Sequence, residues 1–295
     1  MLDMLATNWK IDYRSHIPGR GLTLAQARCF SFSPDNLVGK GGMSEVYHQP
    51  YKEPDKIAVK LAPLGKSYSH YKEFFILNEA NVLGQVPPHA NIPEYFGTGH
   101  FTLEEETDGR HFIALELFSA PDLRTSVNRG QLLTDLEILA AALGAARALA
   151  HLHDKGIVHA DVKPDNILKN GKLIDFAFAR PEGKALPIET QASAGTPSYF
   201  SLNRWVKKEP YRTDDLFAFG LSLFELFTGE KALPDNLAVA DGYKFLGPRI
   251  KAAKLSALKT DFLYKLTGTN GTVNFVENYG FSDFHQVEAY IHSVI

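Results

Sequence analysis

The amino-acid sequence predicts an α+β protein of two lobes, a small β-rich one followed by a larger helical one. Three observations carry that reading. Short extended runs lead the chain, helical periodicity takes over from about Leu132, and the change falls near residue 119, where a cleft between lobes is expected. With 295 residues, 44% apolar and 22% charged, the chain can bury a large core, and collagen-like or disordered polymers are excluded.

Each element has its own signal. Ile57-Ala58-Val59-Lys60-Leu61 and Phe112-Ile113-Ala114-Leu115-Glu116-Leu117 are strand candidates, and Asp108-Gly109 lies where a hairpin would turn. Alternation in the first run puts Ala58 and Lys60 on one face and Ile57 and Val59 on the other, so that, standing alone, Lys60 reads as a solvated edge lysine. Leu136, Leu139, Leu143 and Ala146 recur at helical spacing, Thr134-x-x-Glu137 forms a capping box at the start, and the helix should run to about Asp154. Asn170-Gly171, between Asn166-Ile167-Leu168 and Leu173-Ile174, is the strongest hairpin signal, with positive φ expected at both turn positions. Asp215 to Phe227 is apolar on nearly every face, as a central buried helix would be, and Gly229 is placed to end it. Ser282-Asp283 reads as the cap of a last amphipathic helix using Phe284, Val287, Ile291 and Val294. There is no internal repeat or low-complexity linker.

Composition excludes several classes of function. Lys plus Arg is 31 against 34 Asp plus Glu, a net charge of −3, without the basic excess of a general nucleic-acid binder. The single cysteine, Cys29, leaves no internal disulfide framework and no cysteine-based zinc site, and it suits a reducing, cytoplasmic compartment. No apolar run nears the ~20 residues of a membrane-spanning helix, Asp3 stands where a secretory signal would be basic, and Leu2 excludes N-myristoylation. A monomer is the default expectation.

Three clusters carry chemistry. Val38-Gly39-Lys40-Gly41-Gly42-Met43-Ser44-Glu45-Val46 places glycines between two strand-like runs, where the absence of Cβ atoms lets backbone N–H groups approach phosphate oxygens; an ordinary glycine-rich turn is the alternative. No Gly-Lys-Ser/Thr ends the cluster, so a Walker-type loop fits poorly. Lys60 follows shortly after. The third cluster is His159-Ala160-Asp161-Val162-Lys163-Pro164-Asp165-Asn166-Ile167-Leu168, followed after the hairpin by Asp175-Phe176-Ala177. Carboxylates and a carboxamide beside a hairpin supply oxygen ligands for a hard cation such as Mg²⁺ and leave one carboxylate as a base.

Over roughly two thirds of its length, from Asn36 to Gly229, the chain resembles the eukaryotic-type (Hanks-type) serine/threonine protein kinases. The resemblance implies a kinase-like N-lobe over 35–118 and a C-lobe over 119–295 with a short, divergent end, preceded by an extension over 1–34. It implies ATP and Mg²⁺ as cofactors and a protein with a serine or threonine hydroxyl as partner. Val38, Gly39, Gly41, Gly42 and Val46 belong to the glycine-rich loop it implies, Lys60 is the lysine that contacts phosphate, and Glu79 is its helical ion-pair partner. Leu115 takes the gatekeeper position, Glu116 to Phe118 the hinge that holds adenine through the backbone, and Val46, Ala58 and Leu168 enclose the adenine. Asp161 is implied as the group that accepts the hydroxyl proton, Lys163 as the stabiliser of the transferring phosphoryl group, and Asn166 and Asp175 as Mg²⁺ ligands. Gly195-Thr196-Pro197-Ser198-Tyr199 resembles the segment under the acceptor residue, and Asp215 the brace of the catalytic loop. A pseudokinase acting as a binding module, or a small-molecule kinase, is the alternative.

The departures from the family pattern have physical readings. Ser44 replaces the third glycine and is still small. Ala160 stands where many members carry an arginine that pairs with a phosphorylated activation loop, so activity independent of phosphorylation at Thr190 or Ser193 is expected. Ala177 replaces a glycine and should narrow the conformations of the metal-binding turn. Ser201-Leu202-Asn203 lacks the glutamate that usually pairs with a late arginine, and Arg249 is the only arginine after Gly229; losing both partners leaves no buried charge unpaired. His151 and His153 sit two apart on different helix faces and so make a poor zinc site with His159. Glu104-Glu105-Glu106 reads as a solvated hairpin tip, and Asp165 as a possible neighbour for a basic residue near the acceptor.

Overall fold

The computed structural model describes residues 10–11, 30, 32, 34–49, 57–62, 70–102, 110–187, 195–233, 239–270 and 280–295, with backbone alone at 10–11, 70–71, 100–102 and 239–242. Cys29, Glu104 to Glu106, Asp108-Gly109, Thr190, Ser193 and most of 1–34 lie outside the described residues. The chain divides into two compact units, one of Met1–Pro88 with Pro93–Ser119, the other of His89–Ile92 with Ala120–Ile295.

The first unit is an antiparallel sheet and a helix. Its strands are β1 (Lys10–Ile11), β2 (Leu37–Lys40), β3 (Glu45–Gln49), β4 (Ile57–Leu61), β5 (Tyr95–Thr102) and β6 (Arg110–Glu116), in the order β1-β5-β6-β4-β3-β2. β4 is therefore an interior strand, paired on both sides, so Lys60 does not stand on the sheet edge that its segment, read alone, would suggest. Alternation along β4 turns Ile57, Val59 and Leu61 into one cluster with Phe30, Phe32, Tyr47, Phe96, Phe112 and Ala114. Edge-to-face pairs at 5.5 Å for Phe30 and Phe112 and 5.2 Å for Phe32 and Tyr47 fix its packing. Helix α1 (His70–Gln85) packs on β5 and β6. It buries Glu73, Phe75, Ile76, Glu79, Ala80, Val82 and Leu83, an i, i+3, i+4, i+7 face that carries two carboxylates among apolar residues.

The second unit is helical, with α2 (Leu123–Asn128), α3 (Asp135–His153), α4 (Leu202–Lys207), α5 (Arg212–Thr228), α6 (Val239–Ala252), α7 (Ala257–Thr267) and α8 (Phe284–Val294) among its described residues. Thr134 and Glu137 make the expected capping box: Thr134 N donates to Glu137 Oε2 at 2.9 Å, and Glu137 N donates to Thr134 Oγ1 at 3.3 Å. Helix α5 starts three residues before Asp215 because the Asp214 carboxylate accepts from the Tyr211 backbone N–H at 2.6 Å. It ends at Gly229 in the left-handed conformation, as expected. Every residue from Asp214 to Glu225 is buried, so α5 is the core helix, with α3, α7 and the turn at Pro197–Tyr199 packed on it. Asp283 caps α8 by accepting from Gln286 N at 3.0 Å, and Phe284, fully buried, meets His153 of α3 and Phe219 of α5 edge-on.

The hairpin that follows Asn166-Ile167-Leu168 corrects one expectation. Leu168 N donates to Lys172 O at 2.9 Å, which leaves a three-residue loop, and only Gly171 has positive φ, at 80°. In a loop of that length a single left-handed residue completes the turn, so Asn170 does not need that conformation. The tip is pressed onto α3: a Cβ on Gly144 would lie 2.4 Å from the Gly171 carbonyl oxygen. Asn91 Nδ2 donates to the same oxygen at 3.0 Å.

Candidate active site

The site residues are built in two groups, one within each unit. In the first unit, β2 and β3 are joined by Gly41 to Ser44, and Gly41 N donates to Ser44 O at 2.9 Å, which closes the turn. Lys40 and Glu45 form an ion pair across its base at 2.9 Å. A Cβ on Gly42 would meet no atom of the described residues within 4 Å, and one on Gly41 only the Ser44 carbonyl at 3.8 Å, so the space over this turn is open. Gly39 pairs with Val46 in the ladder, and Val38 is exposed.

Register then sets which side chains share a face. Val46 lies opposite Lys60 and His48 opposite Ala58, and opposed residues of an antiparallel pair point the same way. Val46, Ala58 and Lys60 therefore share the face away from the aromatic cluster. Lys60 Nζ donates to Glu79 Oε2 at 2.6 Å, with the side chains 10% and 1% exposed, so this pair is taken out of water. At the end of β6, Glu116 is tied to Glu94 in both directions, its N–H to the Glu94 carbonyl at 2.9 Å and its Oε2 from the Glu94 N–H at 3.2 Å. Phe118, two residues beyond, is half-buried.

In the second unit the segment that begins at His159 is held by one carboxylate. Asp215, in the first turn of α5, accepts from His159 N at 2.8 Å through Oδ2 and from Ala160 N at 2.9 Å through Oδ1. Ala160 has φ 63°, a conformation costly for a residue with Cβ, and the bond to Asp215 maintains it. His153 of α3 contacts Asp215 Oδ2 through Nε2 at 2.9 Å. Burial opposes ionisation of Asp215, but the hydrogen bonds from His153 and the loop amide outweigh it and hold the carboxyl below its ordinary range. His159 accepts from Asp161 N through Nδ1 at 3.3 Å and faces the Ile174 carbonyl through Nε2 at 3.1 Å, a pattern that requires the neutral tautomer with its proton on Nε2.

These contacts bring Asp161, Lys163 and Asn166 together. Lys163 Nζ donates to Asp161 Oδ2 at 2.8 Å and to Thr196 Oγ1 at 2.7 Å. Asn166 Nδ2 donates to the Asp161 carbonyl at 2.7 Å and to Oδ2 at 3.1 Å. Asp161 Oδ1 is buried and has no hydrogen-bond partner among the described residues. Spending Nδ2 on Asp161 fixes the amide of Asn166 and leaves its Oδ1 as an available acceptor. Ile174 N donates to Asn166 O at 2.9 Å, so the backbone beside Asp175 runs against that of Asn166. Asp175 has φ 64°, whereas Ala177 has no positive φ and therefore costs the turn nothing by not being glycine. Leu168 is buried and bridged to Asp122. Gly195, at φ 94°, opens the Thr196 segment where a Cβ would lie 2.9 Å from the Phe200 ring.

A buried polar group lies beneath this loop. Asp214 accepts from Ser201 Oγ and is pushed up to about 6 by burial, against the pull of its hydrogen bonds. Arg204 lies over the Phe200 ring at 5.2 Å, and burial lowers its pKa. Arg249 pairs with Glu230 at 3.1 Å. The sequence pattern marks neither Asp214 nor Arg204 as a site residue, and His153 only as a poor zinc ligand.

The protein kinase domain model matches residues 32–262, most of the chain. The chain belongs to the protein kinase family. Among its kinase relatives, a probable serine/threonine-protein kinase of Arabidopsis thaliana, PBL28, is 32% identical over 222 residues, covering 69% of this chain and 56% of that protein. A probable serine/threonine-protein kinase of Corynebacterium glutamicum, PknB, is 30% identical over 220 residues, 71% of this chain and 33% of that protein. The Mycobacterium tuberculosis kinase PknD is 29% identical over 201 residues, 65% of this chain and 29% of that protein. The kinase chain described here thus spans between about a third and just over half of the length of these relatives.

Proposed function

We propose that this chain transfers the γ-phosphate of Mg²⁺-ATP to serine or threonine hydroxyls of proteins. The observation that carries the proposal is the Asp161 carboxylate, with Oδ2 engaged by Lys163 and Asn166 and Oδ1 buried without a partner among the described residues. An unsatisfied buried acceptor costs about 1–3 kcal/mol, and a substrate hydroxyl donating to Oδ1 removes that cost. The same bond orients the hydroxyl oxygen and takes its proton as the oxygen attacks phosphorus and the bond to the ADP oxygen breaks. Lys163, tied to both Asp161 and Thr196, supplies positive charge beside the transferring phosphoryl group.

The donor set suits the nucleotide and its metal. Asp175 and the Asn166 Oδ1 are hard oxygen donors and would hold Mg²⁺, which when bound neutralises phosphate charge. Lys60, oriented by Glu79, would bind phosphate oxygens of the nucleotide, and the backbone N–H groups of the Gly39 to Gly42 turn would supply further donors to them. Val38, Val46, Ala58 and Leu168 supply apolar contact for the adenine, and the backbone of Glu116 to Phe118 its hydrogen bonds. Lys163, two residues after Asp161, together with Thr196, favours serine and threonine over tyrosine acceptors. We place the reaction in a reducing cytoplasm and take the monomer as the acting species.

Activity is independent of activation-loop phosphorylation, because Ala160 offers no guanidinium to a phosphate on Thr190 or Ser193. The double alanine variant at those positions keeps its turnover; a tenfold loss would refute this part. For the reaction itself, Asp161→Asn lowers phosphotransfer by about 10²–10⁴-fold while ATP binding stays unchanged, measured by γ-phosphate transfer and by direct nucleotide titration. Equal turnover of Asp161→Asn and the parent removes Asp161 from its role.

A further inference from the structure

Beside the acceptor-side turn, the chain satisfies an acidic pocket with its own arginine. Arg124 of α2 donates from Nη1 to Glu225 Oε1 at 2.5 Å and from Nη2 to Glu225 Oε2 at 3.0 Å, a bidentate pair. The same Nη2 reaches Tyr199 Oη at 2.8 Å, Tyr199 Oη donates to Glu225 Oε2 at 2.5 Å, and Arg124 Nε donates to Asp165 Oδ2 at 3.3 Å. Two of these partners are chain neighbours of the proposed catalytic residues. Asp165 precedes Asn166, and Tyr199 closes the turn that begins at Thr196, the hydroxyl bound by Lys163. The Glu225 side chain is 8% exposed, Arg124 22% and Asp165 46%, so the group opens to solvent at its Arg124 and Asp165 end.

We propose that Arg124 is a specificity-determining residue: by filling the Glu225–Asp165 carboxylate pair from within the chain, it makes the enzyme indifferent to arginine near the acceptor residue of a protein substrate. Glu225 offers two coplanar oxygens and Asp165 a third, a geometry matched to the fork of a guanidinium and not to an ammonium. With Arg124 seated, a substrate arginine meets carboxylates that are already neutralised and a like charge at the entrance. Without it, the same three oxygens await a guanidinium presented by the substrate. This rests on the proposed phosphotransfer to proteins, and the tests below separate the two.

Serine peptides identical except for an arginine or alanine at each position near the acceptor give the first readout. In the parent protein, arginine changes kcat/KM by less than about threefold at every position; a preference of tenfold or more overturns the proposal. In Arg124→Gln, which retains a donor to Glu225, arginine at one position raises kcat/KM about tenfold or more through KM, and Glu225→Gln added to that variant abolishes the gain. An active Arg124→Gln with no such gain also overturns it. The second readout needs no activity. Millimolar ethylguanidinium raises the Tm of Arg124→Ala by about 2 °C or more, but not that of the parent or of Arg124→Ala/Glu225→Gln, and absence of this shift overturns the proposal. Should no peptide be phosphorylated by any form while ethylguanidinium still stabilises Arg124→Ala, the phosphotransfer reading fails and the guanidinium pocket stands.

Discussion

His153 and Asp215, 62 positions apart in the chain, are joined inside the second unit by a 2.9 Å contact from the imidazole Nε2 to the carboxylate that holds the catalytic loop. The carboxylate has three such contacts, two from consecutive loop amides and one from α3, so the loop conformation depends on the core as well as on its own sequence. His153→Ala should lower stability by about 1.5–3 kcal/mol, the range for a hydrogen bond to a charged group, and reduce kcat. His153→Gln, whose amide nitrogen can reach the place of Nε2, should recover much of both. Urea unfolding and steady-state kinetics on the two variants decide it; equal damage by Gln and Ala would show that His153 acts only by filling space.

The Lys60–Glu79 pair should behave as a buried ion pair rather than as a surface one. Removing either partner alone leaves an uncompensated charge in the first unit and costs about 3–5 kcal/mol, whereas Lys60→Met/Glu79→Leu costs much less. A double-mutant cycle by urea unfolding measures the coupling, and additive effects of the two single changes would contradict it.

Asp214 makes stability depend on pH with a defined sign. Its folded pKa of about 6 lies above its unfolded value of 3.8, so the native state binds the extra proton. The stabilisation is complete below the unfolded pKa and is lost as pH rises through about 6, an amount of up to about 3 kcal/mol. Asp215 and Glu225, both held low, act in the opposite sense at more acidic pH. The stability of the parent minus that of Asp214→Asn should therefore fall between pH 4 and pH 7, and a flat difference would sink the idea.

Gly144→Ala tests the close approach of α3 and the hairpin. In an exposed helix interior that change stabilises by roughly 0.5–1 kcal/mol. Here the added methyl meets a backbone carbonyl oxygen at 2.4 Å, and a net loss of about 1–3 kcal/mol is expected from the forced shift. A rise in Tm would show that the helix moves away without cost.

Much of the fold was legible because its signals are local. The capping box at Thr134, the periodicity of α3, the continuous apolar run of α5 and Gly229 each act over a few residues, and each specifies its element almost alone. Where the reading slipped, the controlling contact was not local. Lys60 looked like an edge lysine because nothing within β4 shows that β3 and β6 flank it. The sequence pattern starts α5 three residues late because Asp214 reads as an ordinary acidic residue, whereas its carboxylate folds back onto Tyr211 N. In the site, Asp161, Lys163 and Asn166 lie within six residues of each other and could be grouped by eye. His153 and Glu225 could not, although each carried a weak signal: His153 shares the buried face of α3 with Ala146 and Leu149, and Glu225 is a charged residue at the end of a wholly buried run. Arg124 has no such mark, and Tyr199 is marked only as part of the segment under the acceptor residue, since their pairing with Glu225 spans 101 and 26 positions.

The seating of Gly171 against Gly144 also bears on how the protein can be engineered. Tips of short hairpins are usually the first place to graft an epitope, a fluorophore peptide or a new terminus, because they project into water. This one faces inward, with its carbonyl oxygen held by Asn91 and its Cα wedged on α3. A graft between Asn170 and Gly171 would have to prise the hairpin from the helix and so disturb the strand that leads to Asp175. Tags belong elsewhere, for instance at the exposed turn around Gly130 and Leu132, where the chain has open space.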